Sequence, residues 1–196
     1  MPRSCCEYTE AFSSGGECCF SEAVVHVRDF FRLLWEQHVY WTRMTIISIA
    51  SDLPDVEPTT NRLLRNASDF ARLFSCFYGD KIAFKFSLLL KDHLVIAAEL
   101  VKAAKDDDSE AAADAEKRWY ANADEIVCFL NRINSYWSVE HMRAMWYEHL
   151  KLTKEEAVAR LNKDYAKDIT IFNQIEKEAL LMADKFSNGI ISQFCL

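Results

Sequence analysis

Apolar residues recur at helical spacing along most of the chain, in six segments that short polar stretches separate. These segments begin near residues 22, 58, 80, 110, 138 and 164. A stripe with apolar residues three and four positions apart is typical of a helix that buries one face. The 196 residues include only four glycines and three prolines, which favours long helices over strands. We therefore predict an all-α fold, an up-and-down bundle of about six helices.

Local signals set the expected helix ends. Pro54 ends the first helix, Gly79 ends the second, and Ser138 caps the fifth. The sequence at residues 153–156 has the form of a capping box, which predicts that the fifth helix bends or restarts there. The sixth helix is expected to end at residues 188–189, an Asn-Gly pair.

Three histidines recur at nearly equal intervals. His38, His93 and His149 fall on the first, third and fifth predicted helices, at intervals of 55 and 56 residues. Asn66 and Asn122 follow the first two histidines by 28 and 29 residues. These spacings predict three copies of one helical hairpin. In the third copy no Asn occupies this register, and two carboxylates, Glu176 and Glu178, flank it.

The histidines lie on the apolar faces of helices that run in the same direction, so they are expected at similar heights in the bundle. One imidazole per hairpin with a carboxylate nearby is a ligand set that suits a single Fe, Mn, Zn or Ni ion. The predicted ligands are His38, His93, His149 and Glu176. The predicted supporting residues, which orient or back these ligands, are Asn66, Asp69, Asn122, Glu125 and Glu178.

Two other interpretations remain open. The histidines could make structural hydrogen bonds only, since descent from one repeat would also space them equally. Alternatively, the bundle could bind a partner or an apolar ligand without catalysis, in a pocket formed by aromatic residues. Imidazoles more than about 10 Å apart would favour these interpretations over a metal site. The candidate pocket residues are Trp35, Tyr40, Trp41, Trp119 and Trp146.

Composition excludes several classes of function. The net charge of −7, without a basic stripe, argues against nucleic acid and anionic membranes as partners. Uncharged apolar runs fall short of the roughly 20 residues that span a bilayer. The sequence lacks a glycine-rich phosphate loop, so no nucleotide cofactor is expected. The N-terminus lacks a secretory core, which predicts a soluble cytoplasmic protein, whether monomer or homo-oligomer.

The first 21 residues differ from the rest in being rich in Cys, Ser, Gly and Glu. We expect them to form a flexible leader, followed by one helical domain over residues 22–196. The role of its adjacent cysteines, Cys5-Cys6 and Cys18-Cys19, is left open by their spacing. The odd total of seven cysteines predicts reduced thiols, with Cys76 and Cys128 packed as small apolar residues.

Three stretches carry a resemblance to a known group of proteins. They are residues 34–43 (LWEQHVYWTR), 119–126 (WYANADEI) and 175–184 (IEKEALLMAD). From about residue 28 onward the chain resembles a family of small helical proteins from soil bacteria, some of which carry an acetylglutamate kinase label. The glycine-rich elements of such a kinase are absent here. More loosely, the bundle is similar to ferritin-like, hemerythrin-like and DinB-like proteins. The DinB-like resemblance implies three histidines on one metal, although that family places two of them on one helix.

Overall fold

The structure is a computed structural model that describes residues 21–196, and this part of the chain forms six α-helices. The prediction of an all-α bundle is confirmed. The proposed leader falls almost wholly outside the described residues. Ser21, its last residue, caps the first helix by accepting a hydrogen bond from the backbone N–H of Val24. The helices are α1 (Glu22–Ala50), α2 (Val56–Tyr78), α3 (Asp80–Lys105), α4 (Ser109–Ile133), α5 (Val139–Leu161) and α6 (Tyr165–Phe194).

The helices form a closed ring. Each helix packs against the next one along the chain, and α6 returns to pack against α1. In addition, α1, α3 and α5 contact one another across the inside of the ring. Short loops reverse the chain between consecutive helices, so these three inner helices run in the same direction. Side chains at matching heights on them therefore meet at the centre. The three-hairpin repeat itself stays a prediction.

The core is unusually rich in aromatic rings. Phe31, Phe74, Phe86 and Phe186 are at most 1% exposed and contact one another across four helices. Burying one such side chain contributes about 1.5–3 kcal/mol. This end of the bundle is densely packed, which fixes the helices on which the histidines lie.

Three helix boundaries differ from the predictions. The second helix begins at Val56, ahead of Pro58, because proline is tolerated in a first turn. The fifth helix continues unbroken through Thr153, whose hydroxyl donates to the carbonyl of His149 instead of capping a new helix. The sixth continues past Gly189 to Phe194.

Gly189 is required by packing and does not end its helix. A Cβ at this position would lie 2.0 Å from Nε1 of Trp137. Trp137 is in the loop that connects α4 to α5, and its side chain is completely buried. The indole N–H of Trp137 donates to the carbonyl of Lys185, one turn earlier on α6. Glycine therefore allows the indole to lie directly on the helix backbone.

The cysteines also differ from expectation. Cys76 and Cys128 are exposed free thiols and do not pack in the core. Cys195 is the C-terminal cap of α6. Among residues 21–196, no helix has both the length and the apolar content that crossing a membrane requires.

Candidate metal centre

The structure brings the three histidines together at the centre of the ring. His38, His93 and His149 lie on α1, α3 and α5, and each is at most 2% exposed. The ring centroids of His38 and His149 are 5.4 Å apart, and each is 6.2 Å from the centroid of His93. One ligand nitrogen from each ring lies within 4.8 Å of the other two. The group is thus compact enough to hold one metal ion.

Each imidazole is held by the second helix of its own hairpin. Nδ1 of His38 lies 3.1 Å from Oδ1 of Asn66 on α2, and Nδ1 of His93 lies 3.1 Å from Oδ1 of Asn122 on α4. In the third hairpin, Nδ1 of His149 lies 3.1 Å from a carboxylate oxygen of Glu178 on α6. The same ring nitrogen is therefore engaged three times.

The hydrogen bonds of the two asparagines fix their orientation. The amide nitrogen of Asn66 donates to the carbonyl of Leu34, and that of Asn122 donates to the carbonyl of Leu89, each at 3.0 Å. Since the amide nitrogen is used in this way, the amide oxygen must face the imidazole. An oxygen without a proton can only accept, so Nδ1 carries the hydrogen of the neutral ring. The lone pair is then on Nε2, which is free to bind a metal.

Burial keeps two of the imidazoles, those of His38 and His93, neutral. It lowers the pKa of His38 to about 3, an effect that the neighbouring His149 strengthens and the Asn66 hydrogen bond opposes. Burial likewise lowers the pKa of His93 well below its usual value, with further contributions from His149 and His38. Both rings therefore present neutral ligands at physiological pH, and a metal ion does not have to displace a proton from them.

Glu178 is the carboxylate of the site. Its side chain is 10% exposed, and its Oε2 is the atom that contacts His149. The other oxygen, Oε1, is buried and has no hydrogen-bond partner among the described residues. A carboxylate in this position needs positive charge nearby, because a buried anion with an unpaired oxygen is costly.

The structure does not bring the other predicted carboxylates to the histidines. Glu176, predicted as the fourth ligand, is half-buried and accepts a hydrogen bond from the hydroxyl of Tyr40 at the surface. Asp69 is buried but pairs with two arginines of its own helix, Arg65 and Arg72. Glu125 is exposed on the outside of α4. Of the acidic candidates, Glu178 alone contacts an imidazole.

The side of the cluster that faces the N-terminal ends of α1, α3 and α5 is closed. Trp35, Leu90 and Trp146 lie one turn before the three histidines, and each is at most 1% exposed. The Trp35 ring lies 5.2 Å from that of His38, and the Trp146 ring lies 5.1 Å from that of His93. Of the five predicted pocket residues, Trp35 and Trp146 are the two that pack against the histidines on this side. Tyr40 and Trp41 face outward.

A cavity lies on the opposite side. Thr42, Ala97 and Thr153, one turn after each histidine, line a pocket of about 290 Å³ that opens to solvent and whose lining does not include the histidines themselves. Trp119 also lines this pocket, and its ring lies 5.3 Å from that of His93. Trp119 was predicted from the sequence as a pocket residue, whereas the other three were not predicted. Their signal was the constant spacing of four residues after each histidine.

A second buried polar group was not predicted. Arg43, on α1, pairs with Glu156 of α5 and with Asp168 of α6, and Arg160 adds a contact to Asp168. Both carboxylates are at most 2% exposed. Burial raises the pKa of Glu156 to about 7, with Asp168 acting in the same direction and the two arginines opposing it. This cluster ties α1, α5 and α6 together beyond the level of the histidines.

No protein-family model, curated protein or solved structure matches this chain. The resemblance to a bacterial helical family therefore stays a prediction from the sequence, and the candidate site rests on its own geometry.

Proposed function

We propose that this protein binds one divalent transition-metal ion through Nε2 of His38, His93 and His149. Three protein ligands leave at least one coordination position for an exchangeable small molecule, as in catalytic rather than structural metal sites. The protein would then be a metal-dependent enzyme that carries out redox or group-transfer chemistry on that molecule.

The observation that carries this proposal is the threefold use of Nδ1. Metal-binding histidines usually donate their second ring N–H to an amide, carbonyl or carboxylate, which fixes the orientation of the ring. Here Asn66, Asn122 and Glu178 each occupy that role, one for each histidine. Histidines with purely structural roles would have no need to bring one ring nitrogen each within 4.8 Å of the other two.

Charge supports the same proposal. His38 and His93 are neutral, and the carboxylate of Glu178 contacts Nδ1 of His149. A bound divalent cation would compensate this carboxylate through the ring that both contact. The ligand set favours Zn, Fe or Ni over Mg or Ca, because imidazole nitrogen is a poor ligand for the harder ions. Mn is the weakest of the four candidates, because the Glu178 carboxylate contacts Nδ1 of His149 and is not placed as a metal ligand.

Elemental analysis tests the proposal directly. Protein purified without an affinity tag and supplemented with Fe²⁺, Mn²⁺, Zn²⁺ or Ni²⁺ should retain close to one ion per chain, and the His93→Ala variant should lose it. His141, on the exposed surface of α5, provides the matched control, since His141→Ala should retain the ion. Less than about 0.2 ion per chain for every metal would overturn the proposal.

The cavity favours a second candidate function, which is the binding of an apolar ligand without catalysis. Its wall is largely alanine, leucine, isoleucine and valine, and it opens to solvent. Under this alternative, His93→Ala would lower stability yet leave ligand affinity unchanged. Under the metal proposal, the same variant would lose the metal and alter how the ligand binds.

A further inference from the structure

We propose that the cavity lined by Thr42, Ala97 and Thr153 is the substrate site of this metal centre, and that it takes a small apolar molecule with one anionic head group. This inference rests on the proposed function and specifies its substrate class. The head would point toward the imidazoles, and the apolar part would lie between α3, α4 and α5.

The position of the cavity supports this orientation. Each of the five helices that line the cavity contributes a residue one turn away from a histidine or asparagine of the site. On α1, α3 and α5 these residues follow the histidines: Thr42, Ala97 and Thr153. On the antiparallel helices α2 and α4 they precede the asparagines: Leu63 and Trp119. The other side of the cluster is filled by Trp35 and Trp146. The histidines themselves do not line the cavity, but the residues one turn from each of them do, so the cavity is the side from which a ligand would reach the imidazoles.

The lining selects an apolar body. The hydroxyl groups of Thr42, Thr45 and Thr153 all donate to backbone carbonyls of their own helices, so they have no free proton for a ligand. The two charged residues at the cavity, Glu116 and Lys154, pair with each other at 2.6 Å. The cavity wall thus offers van der Waals contact and little else.

One buried polar group in the lining has no partner among the described residues, which is also true of the indole N–H groups of Trp35 and Trp146 on the filled side. The indole N–H of Trp119 is buried, and no acceptor for it exists among the described residues. An unpaired buried donor costs free energy that a ligand acceptor would recover. Because this indole packs against His93, an acceptor bound there would lie at the imidazole end of the cavity. The Trp119 N–H and the positive charge of a bound metal ion would both favour a ligand whose head group is an anionic hydrogen-bond acceptor.

The volume sets the size of the ligand. A cavity of about 150 Å³ holds one benzene molecule. The present cavity has about 290 Å³, so it fits a molecule of roughly ten to twelve non-hydrogen atoms by the same ratio. A medium-chain carboxylate or thiolate meets this size and carries the required head.

Octanoate and octanethiol are suitable probes, and Co²⁺ is a suitable metal because its visible absorption reports on its ligands. Octanoate should bind to the Co²⁺-loaded full chain and change this absorption, whereas octanol should bind at least tenfold more weakly. A change with octanethiol alone would identify a thiolate as the head. An unchanged Co²⁺ spectrum at saturating concentrations of both probes would overturn the inference.

Variants on α4 test the place of binding. Ala112 lines the cavity and Ala121 is exposed on the same helix, so Ala112→Leu should weaken probe binding at least tenfold and Ala121→Leu should not. If Ala112→Leu does not fold, Ala98→Leu fills the same cavity from α3. Metal content should stay at the wild-type level in all three. Equal probe affinity in the filled and control variants would overturn the inference.

The two proposals fail separately. Absence of Co²⁺ binding would overturn the proposed function, and with it the role of the head group. The comparison of Ala112→Leu with Ala121→Leu, monitored by tryptophan fluorescence in metal-free protein, would still decide whether the cavity is a binding site.

Discussion

Glu178 contacts Nδ1 of His149 at 3.1 Å, and it does so from 29 residues further along the chain. Asn122 contacts His93 at the same distance and the same separation. A carboxylate thus stands where another hairpin has an amide. Because a carboxylate bonded to the second nitrogen makes an imidazole a stronger ligand, we expect His149 to bind the metal most strongly of the three.

Replacing Glu178 tests this role. Glu178→Leu should weaken metal binding about 10- to 100-fold, since the ring loses its orienting partner. Glu178→Gln should have a smaller effect, because the amide oxygen still accepts from Nδ1. Competition with a chelator of known affinity measures both variants. Glu176→Gln is the control, and a loss of affinity there, with none at Glu178, would restore Glu176 as the fourth ligand.

Replacing Asn66 should lower stability as well as metal affinity. In Asn66→Leu, the Nδ1–H of His38 is left without its acceptor in the core, while the Leu34 carbonyl keeps only its hydrogen bond within α1. An unpaired buried donor costs about 1–3 kcal/mol, so the free energy of unfolding should fall by about that amount. Urea unfolding of metal-free protein measures this. Asn173→Leu, at an exposed position of α6, should leave stability nearly unchanged, and equal losses in the two variants would contradict the prediction.

Metal binding should stabilise the fold. A ligand present at 100 times its dissociation constant adds about 2.7 kcal/mol to the free energy of unfolding. For a chain of this size, the melting temperature should rise by roughly 5–10 °C. Differential scanning calorimetry with metal, and again after chelation, measures the rise. The His93→Ala variant should show none, and a similar rise in that variant would place the bound metal elsewhere.

Gly189→Ala sets two effects against each other. Alanine in a helix is favoured over glycine by about 1 kcal/mol. The added Cβ would, however, meet the buried Trp137 indole at 2.0 Å, and such overpacking costs about 1–3 kcal/mol or more. We therefore expect a net loss of stability and altered tryptophan fluorescence. Ser192→Ala, exposed three residues later, should gain slightly in stability. A gain in both variants would show that the indole moves freely.

Glu156 should make stability depend on pH. Its pKa of about 7 in the folded protein lies above the usual 4.5. Between these values the folded state holds a proton that the unfolded state has released, so stability falls as the pH rises through this window. The total effect is on the order of 3 kcal/mol.

Glu156→Gln removes this dependence. Urea unfolding at pH 5, 6, 7 and 8 should show the variant gaining stability relative to the wild type with each step up to pH 7. The exposed neighbour Glu155 supplies the control, because Glu155→Gln should follow the wild-type curve. Parallel curves for all three proteins would mean that Arg43 and Arg160 hold the Glu156 carboxylate ionised throughout.

The convergence of the histidines could be predicted because it depends on helix periodicity and chain direction alone. Equal intervals place His38, His93 and His149 on alternate helices, which run in the same direction and lie inside the ring. The choice between Glu176 and Glu178 needed one more step. Residues two positions apart point to different faces of a helix, and only position 178 repeats the separation of 29 residues that joins His93 to Asn122.

The cavity and the buried ion cluster could not be predicted in this way. The cavity is a gap left by side chains of five helices, and its volume depends on how closely those helices approach. Arg43, Glu156 and Asp168 come from α1, α5 and α6, whose mutual contact requires the ring to close. Seen singly in the sequence, each of these charged residues looks like a surface residue.

The division of the site among three hairpins has a consequence for biosynthesis. Each imidazole is oriented within its own hairpin, yet no hairpin holds more than one of them. A nascent chain therefore holds the three histidines apart until α5 has packed against α1 and α3, and His149 gains its Glu178 partner only when α6 follows. Under the proposed function, metal acquisition would then be a late event, open only to a chain whose helices have packed together.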